Sequence, residues 1–196
     1  MKSKLLLLTA ALGLVSITSR AQITYDFTGK AGIFDGLASQ TVTIAPGLDM
    51  TLTATGGNLN SNSSTFGIDA TGSGDSASEI DQLEVLEITF NQNIDFISID
   101  LNAVGSDLSD GAKLTLGSNS EIDLINGTTP NFNSNDVYTP SSPVTITTLQ
   151  SIRLESSTPA SSEYYLQNIT VIPEPSSLAL IGLTVLAALG ILRNRK

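Results

Sequence analysis

LEITFNQNIDFISIDLNAV, residues 86–104, is the stretch on which the fold class turns. Leu86, Ile88 and Phe90 alternate with Glu87 and Thr89, and Ile97, Ile99 and Leu101 alternate with Ser98 and Asp100. A period of two puts the apolar side chains on one face of an extended chain and the polar ones on the other, the pattern of a half-buried strand. Asn91-Gln92-Asn93, between the two runs, reads as the turn of a hairpin, because asparagine bonds its own main chain and tolerates left-handed backbone.

The same period recurs outward from this pair, at ITYDF (23–27), TVTI (41–44), MTLTA (50–54), KLTL (113–116), SEIDL (120–124), PVTI (143–146), SIRLE (151–155) and YYLQNITV (164–171). Stretches carrying Gly, Pro, Asn and Ser separate these runs. Short strands so spaced predict an all-β fold, an antiparallel β-sandwich of jelly-roll-like type spanning residues 22–172. Helical periodicity outside the termini is offered only by SASEIDQLEVLE (76–87), where Ser78 and Asp81 match a loose capping box for one short turn. Two long polar stretches, 56–78 and 128–143, read as flexible insertions or as organised binding loops.

The two ends have a different character. Lys2 and Lys4, an apolar run from Leu5 to Ile17 and the small-x-small step Ser19-Arg20-Ala21 form a secretory signal peptide over residues 1–21. At the other end Pro173-Glu174-Pro175 precedes 17 uncharged residues, 176–192, and then Arg193, Arg195 and Lys196. A helix of that length rises about 25 Å, enough to span a bilayer with slight thinning, and its basic end belongs on the cytoplasmic side. The prolines each lack an amide donor and bias the preceding residue toward extended backbone, so Ile172 to Pro175 is expected to continue neither sheet nor helix.

Six of the nine basic residues sit in these ends, which leaves Lys30, Lys113 and Arg153 against 18 acids between Gln22 and Ile172, a balance of −15. Such a surface repels phosphate backbones, so no nucleic acid partner is expected. The chain contains neither cysteine nor histidine, which removes thiolate and imidazole nucleophiles, bases and metal ligands. The expectation is a protein that is not an enzyme and has no catalytic residues.

One carboxylate group has the composition for a hard cation. Asp69, Asp75, Glu79, Asp81 and Glu84, with Glu87 beyond them, surround Gly72-Ser73-Gly74, and Ca²⁺ takes six to eight oxygen ligands from such loops. A solvated acidic loop is the plainer reading of the same residues. Tyr164-Tyr165 offers a ring for stacking on a sugar, although alternation makes one of the two a core residue.

The ending PEPSSLALIGLTVLAALGILRNRK (173–196) resembles the PEP-CTERM sorting signal: Pro-Glu-Pro, one hydrophobic span and a short basic end, on a chain that also has a leader. The resemblance implies an exported protein of a Gram-negative bacterium that forms biofilm or secretes exopolysaccharide. It also implies a precursor anchored in the inner membrane by its C-terminal helix, with its domain outside the cytoplasm, and then delivery to the envelope, surface or extracellular matrix. An exosortase, a membrane cysteine protease-transpeptidase, is the implied partner. By this resemblance Pro173, Glu174 and Pro175 are the sorting motif, 176–192 the transmembrane span and Arg193, Arg195 and Lys196 the membrane stop. ITYDF, residues 66–104 and YYLQNITVIPEP are similar to the β-sandwich ectodomains common on such proteins. The resulting expectation is a non-enzymatic envelope or matrix component. A carbohydrate-binding module for exopolysaccharide is the alternative, and a polysaccharide-active enzyme a more distant one.

Overall fold

A computed structural model describes residues 21–69, 79–81, 84–104, 111–156 and 164–174. Its described strands lie in one compact unit, Gln22–Pro173. Among the described residues there is no helix, and the alternating runs form strands that pair antiparallel throughout.

One sheet places β1 (Ile23–Asp26), β13 (Tyr165–Pro173), β7 (Ile94–Asn102) and β10 (Val137–Tyr138) side by side, with β11 (Val144–Ile146) also pairing β7. A six-stranded sheet runs in the order β2 (Ser39–Ala45), β3 (Leu48–Thr55), β6 (Val85–Phe90), β12 (Ile152–Ser156), β8 (Ala112–Leu116), β9 (Ile122–Leu124). A small hairpin joins β4 (Asn58–Ser61) to β5 (Phe66–Asp69). Alternation sends Leu48, Met50, Leu52, Leu86 and Ile88 of one large sheet, and Phe96, Ile99, Leu166 and Ile169 of the other, into a single buried cluster. Each such side chain is worth about 1.5–3 kcal/mol of transfer free energy, set against the entropy of ordering it.

Three expectations change. The runs 86–90 and 94–101 are strands, but they are not a hairpin: β6 pairs β3 and β12, whereas β7 pairs β13, β10 and β11. Asn91–Asn93 is therefore a crossing between sheets. Its two asparagines are held on opposite sides, since the Asp49 amide donates to Asn91 Oδ1 at 2.9 Å and the Thr148 amide to Asn93 Oδ1 at 3.2 Å. A period of two reports which face is buried and says nothing of which strand lies alongside.

The second change is inside β7. Ile94, Phe96, Ile99 and Leu101 are buried, and Ile97 is not among them. Thr170 pairs Ser98 while Val171 pairs Phe96, so Ile97 is the extra residue of a β-bulge and the alternation changes phase there. A second bulge leaves Gln167 unmatched on β13.

The third concerns the polar stretches. Residues 56–69 contain the β4–β5 hairpin, whose Leu59, Phe66 and Ile68 are fully buried. Phe66 stacks on Phe27 at 4.7 Å between centroids and meets Phe34 edge-on at 4.8 Å. In 128–143, Phe132 and Tyr138 pair through a backbone bridge and are buried, so this stretch contributes two side chains to the core. Residues 70–78 lie outside the described residues.

Candidate functional site

Glu79 to Asp81 is a short bridge between elements, and it brings the predicted acids against the two tyrosines. The Ile68 amide donates to the Glu79 carbonyl at 2.6 Å and the Ile80 amide to the Tyr164 carbonyl at 2.8 Å, so the segment lies between β5 and the start of β13. Glu79, Asp81 and Glu84 are all buried. Tyr165 Oη donates to Glu79 Oε1 at 2.6 Å. The Asp81 amide donates to Glu84 Oε2 at 3.0 Å while the Glu84 amide donates to the Asp81 carbonyl at 2.8 Å, an exchange like half of a capping box without a following helix. The loose capping box read at Ser78 and Asp81 opens no helix among the described residues, and Val85–Phe90 continue as a strand; Ser78 lies outside the described residues.

Two of these carboxylate oxygens, Glu79 Oε1 and Glu84 Oε2, accept hydrogen bonds from the domain's own donors. Asp69 stands half-buried at the end of β5, paired in register with Asn58. Glu87 lies in β6 between Thr53 and Arg153, on a different sheet from β5. Asp75 lies outside the described residues. Among the described residues no group of three or more acidic side chains is placed to hold a metal ion.

The tyrosine pair divides as alternation requires. Tyr164 is fully buried, and its hydroxyl has no hydrogen-bond partner among the described residues. Burial holds that phenol well above its ordinary range, with the charges of Glu155 and Glu84 adding to the effect. Tyr165 is half-buried and its hydroxyl is engaged by Glu79.

A second acidic group was not singled out by sequence reading, because its members are far apart in the chain. Asp26, Asn168 and Asp100 form one cross-strand row over β1, β13 and β7, and Asn168 Nδ2 donates to Asp100 Oδ2 at 2.7 Å. Asp136, with φ of 59°, accepts the Val104 amide at 3.3 Å on Oδ2 and Asn126 Nδ2 at 2.8 Å on Oδ1. Its carbonyl receives the Leu101 amide at 3.0 Å. Burial raises both carboxyls; the Asn168 bond opposes this at Asp100 and the Val104 amide opposes it at Asp136. The residues act as a splint between β7 and the 126–136 loop. The only signal in the sequence was the left-handed tolerance of Asp and Asn in a polar loop.

At the C-terminal end, β13 runs through Ile172 and Pro173, and Pro173 pairs in register with Ile94. The expectation that Ile172 to Pro175 continues no sheet is therefore corrected at its first two residues. Proline is tolerated at a strand end, and the ladder to β1 has already finished at Val171. Glu174 is the first residue beyond the strand. Ile23 pairs Val171, so the first and last strands bring both ends of the domain to the same pole. No helix among the described residues is long and apolar enough to cross a membrane. Residues 1–20 of the leader expected over 1–21, Pro175, the span expected at 176–192 and Arg193, Arg195 and Lys196 lie outside the described residues.

The family model of the PEP-CTERM protein-sorting motif matches residues 171–196. The match begins inside β13, at Val171, and so overlaps the last rungs of the domain. No curated protein matches the chain.

Proposed function

We propose that the chain is an exosortase-processed sorting substrate whose delivered part is a non-enzymatic β-sandwich of the cell envelope or extracellular matrix. The observation that carries the reading is the sorting motif at residues 171–196, attached to a domain whose strands are complete at Pro173. Both ends of the domain leave from one pole, as suits a precursor held by a leader at one end and an apolar tail at the other. The non-enzymatic part rests on inventory: without histidine or cysteine, thiolate and imidazole chemistries, the Ser-His-Asp and Cys-His arrangements among them, have no residues to use.

Mass spectrometry of the C-terminus in the native host tests it, beside a Glu174→Ala, Pro175→Ala variant that leaves Pro173 in its strand. The wild type is expected to have lost its apolar tail and the variant to retain it. An intact tail in the wild type overturns the processing. Retention of residues 22–173 on an exopolysaccharide array would instead favour the carbohydrate-binding alternative, and release of sugar would overturn the non-enzymatic reading.

A further inference from the structure

The ends of the domain mark one pole of the sandwich, and four chain connections lie there with them. Ile23 pairs Val171, and Pro173 and Ile146 both pair Ile94. On the other sheet Ala45 pairs Leu48, Met50 pairs Phe90 and Leu116 pairs Ile152. The register therefore gathers residues 46–47, 91–93, 117–121 and 147–151 at the pole where the chain passes on to Glu174. Within these connections the only charged residue is Glu121, and Lys113 Nζ meets it at 2.8 Å. The nearest strand acids are engaged as well: Thr43 Oγ1 donates to Asp49 Oδ1 at 2.7 Å and Thr145 Oγ1 to Asp95 Oδ1 at 2.8 Å. The connections at the opposite pole, by contrast, carry Asp35, Glu79, Asp81, Glu84 and Asp136 among their described residues.

At the acid-poor pole one leucine stands bare. Leu149 is 97% exposed, yet the turn that carries it is tied on every side. The Gln150 amide donates to the Thr147 carbonyl at 2.9 Å, and the Thr147 amide to Gln150 Oε1 at 3.0 Å. Gln150 Nε2 donates to Ser118 Oγ at 2.7 Å, and the Thr148 amide reaches Asn93 Oδ1 at 3.2 Å. A single exposed apolar side chain is ordinary on a protein surface. This one is held in place by hydrogen bonds, is left out of the core, and shares its pole with the exit of the chain toward its apolar tail.

We propose that this pole is a membrane-contact face, with Leu149 seated at the headgroup boundary of the bilayer that takes the chain's own tail. The proposal rests on the reading of the chain as a precursor held by that tail. Reach selects the occupant. Only Glu174 and Pro175 separate the last rung of β13 from the uncharged run that begins at residue 176, and three extended steps cover about 10 Å. Charge selects the face. Anionic headgroups repel carboxylates over a Debye length of about 8–10 Å, so a body with a balance of −15 rests against them best on a side poor in acids. At that boundary an apolar side chain gains the burial that the domain's own core does not give Leu149.

The chain has no cysteine, so single cysteines carry a bimane label without background. Leu149→Cys and Asn119→Cys mark the proposed face, and Ser134→Cys, exposed in the connection between β9 and β10, marks the opposite pole. The full-length chain, made in a host without an exosortase so that its tail is kept, is labelled in detergent. It is then reconstituted into vesicles of phosphatidylethanolamine and phosphatidylglycerol that contain a lipid spin-labelled at headgroup level. Quenching at Leu149→Cys and Asn119→Cys should exceed that at Ser134→Cys about fivefold, since β13 alone runs about 25 Å between the poles. In the Asn119→Cys background, Leu149→Asp should bring quenching down to the Ser134→Cys level and Leu149→Phe should keep it. The thermal transition should persist in both, because the side chain is exposed. Near-pole quenching at control level overturns the proposal and leaves the face to a protein partner; a signal at Asn119→Cys that Leu149→Asp leaves intact overturns it too. Flotation in carbonate separates the two readings. Wild-type chain washed off the vesicles refutes the tail-held precursor and the proposal with it, whereas chain that floats without near-pole quenching refutes the contact face alone.

Discussion

Neighbouring tyrosines in β13 are expected to respond in opposite directions to the same one-atom change. Tyr164→Phe removes a fully buried hydroxyl that has no partner, and Tyr165→Phe removes one that donates to a buried carboxylate at 2.6 Å. Keeping a polar group buried and unbonded costs about 1–3 kcal/mol, so Tyr164→Phe should leave stability at pH 7 unchanged or raise it by up to that amount. Leaving a buried acceptor without its donor costs about 1–3 kcal/mol, so Tyr165→Phe should lose that much. For a domain of this size each kcal/mol moves the Tm by about 2–4 °C, and both effects fall within reach of calorimetry and urea titration on residues 22–173. The alkaline limb supplies a second reading. Above about pH 10 an unfolded tyrosine releases its proton, while the buried Tyr164 keeps its own. The folded state then binds more protons than the unfolded, and stability falls as pH rises. Tyr164→Phe should flatten that fall. Destabilisation by Tyr164→Phe of more than about 1 kcal/mol at pH 7, or a neutral Tyr165→Phe, would refute the reasoning.

Phe66→Ala should cost about 3–5 kcal/mol in urea titration, since Phe66 is fully buried between Phe27 and Phe34, while Leu149→Ala, at 97% exposure, should stay within about 0.5 kcal/mol. Equal effects would contradict the placement of the β4–β5 hairpin in the core. Gly57→Ala should destabilise by about 1–3 kcal/mol, because an added Cβ meets the Asp69 carbonyl and Ile68 Cγ2; a neutral result would mean that the hairpin backbone yields freely. Asp100 and Asp136 have raised carboxyl pKa values, so from about pH 4 up to those values the folded state holds the extra protons and their contribution weakens as pH rises. Asp100→Asn should shrink that decline relative to wild type in melts between pH 3.5 and 6; parallel curves would assign it elsewhere.

The strand runs were legible because their apolar residues recur with a period that any half-buried strand must show. β3 is the clear case, with Leu48, Met50, Leu52 and Ala54 inward at every second place. The β4–β5 hairpin escaped because its strands are short and its four buried side chains sit among Asn, Ser and Gly, where local pattern is weak. Ile97 was misplaced because a bulge changes the phase of alternation without changing composition. In the acidic group, chain proximity collected Asp69, Glu79, Asp81 and Glu84. Whether their oxygens face a cation or the fold's own donors was a matter of geometry, and Tyr165 and the Asp81 amide take two of them.

What the amino-acid sequence determined by itself was local or compositional: strand-forming alternation, the acidity of the body, the lack of thiol and imidazole, and a sorting motif read from the order of its parts. Tertiary structure alone decided pairing. Turn chemistry at Asn91–Asn93 is equally suited to a hairpin and to a crossing between sheets, and only the competition of β3, β12 and β13 for the same backbone groups selects the crossing. The same competition closes β1 and β13 on each other, brings both ends to one pole, and leaves β2 as the long uncharged edge, because hydrogen-bond partners and exposed edges are properties of the assembled sheet.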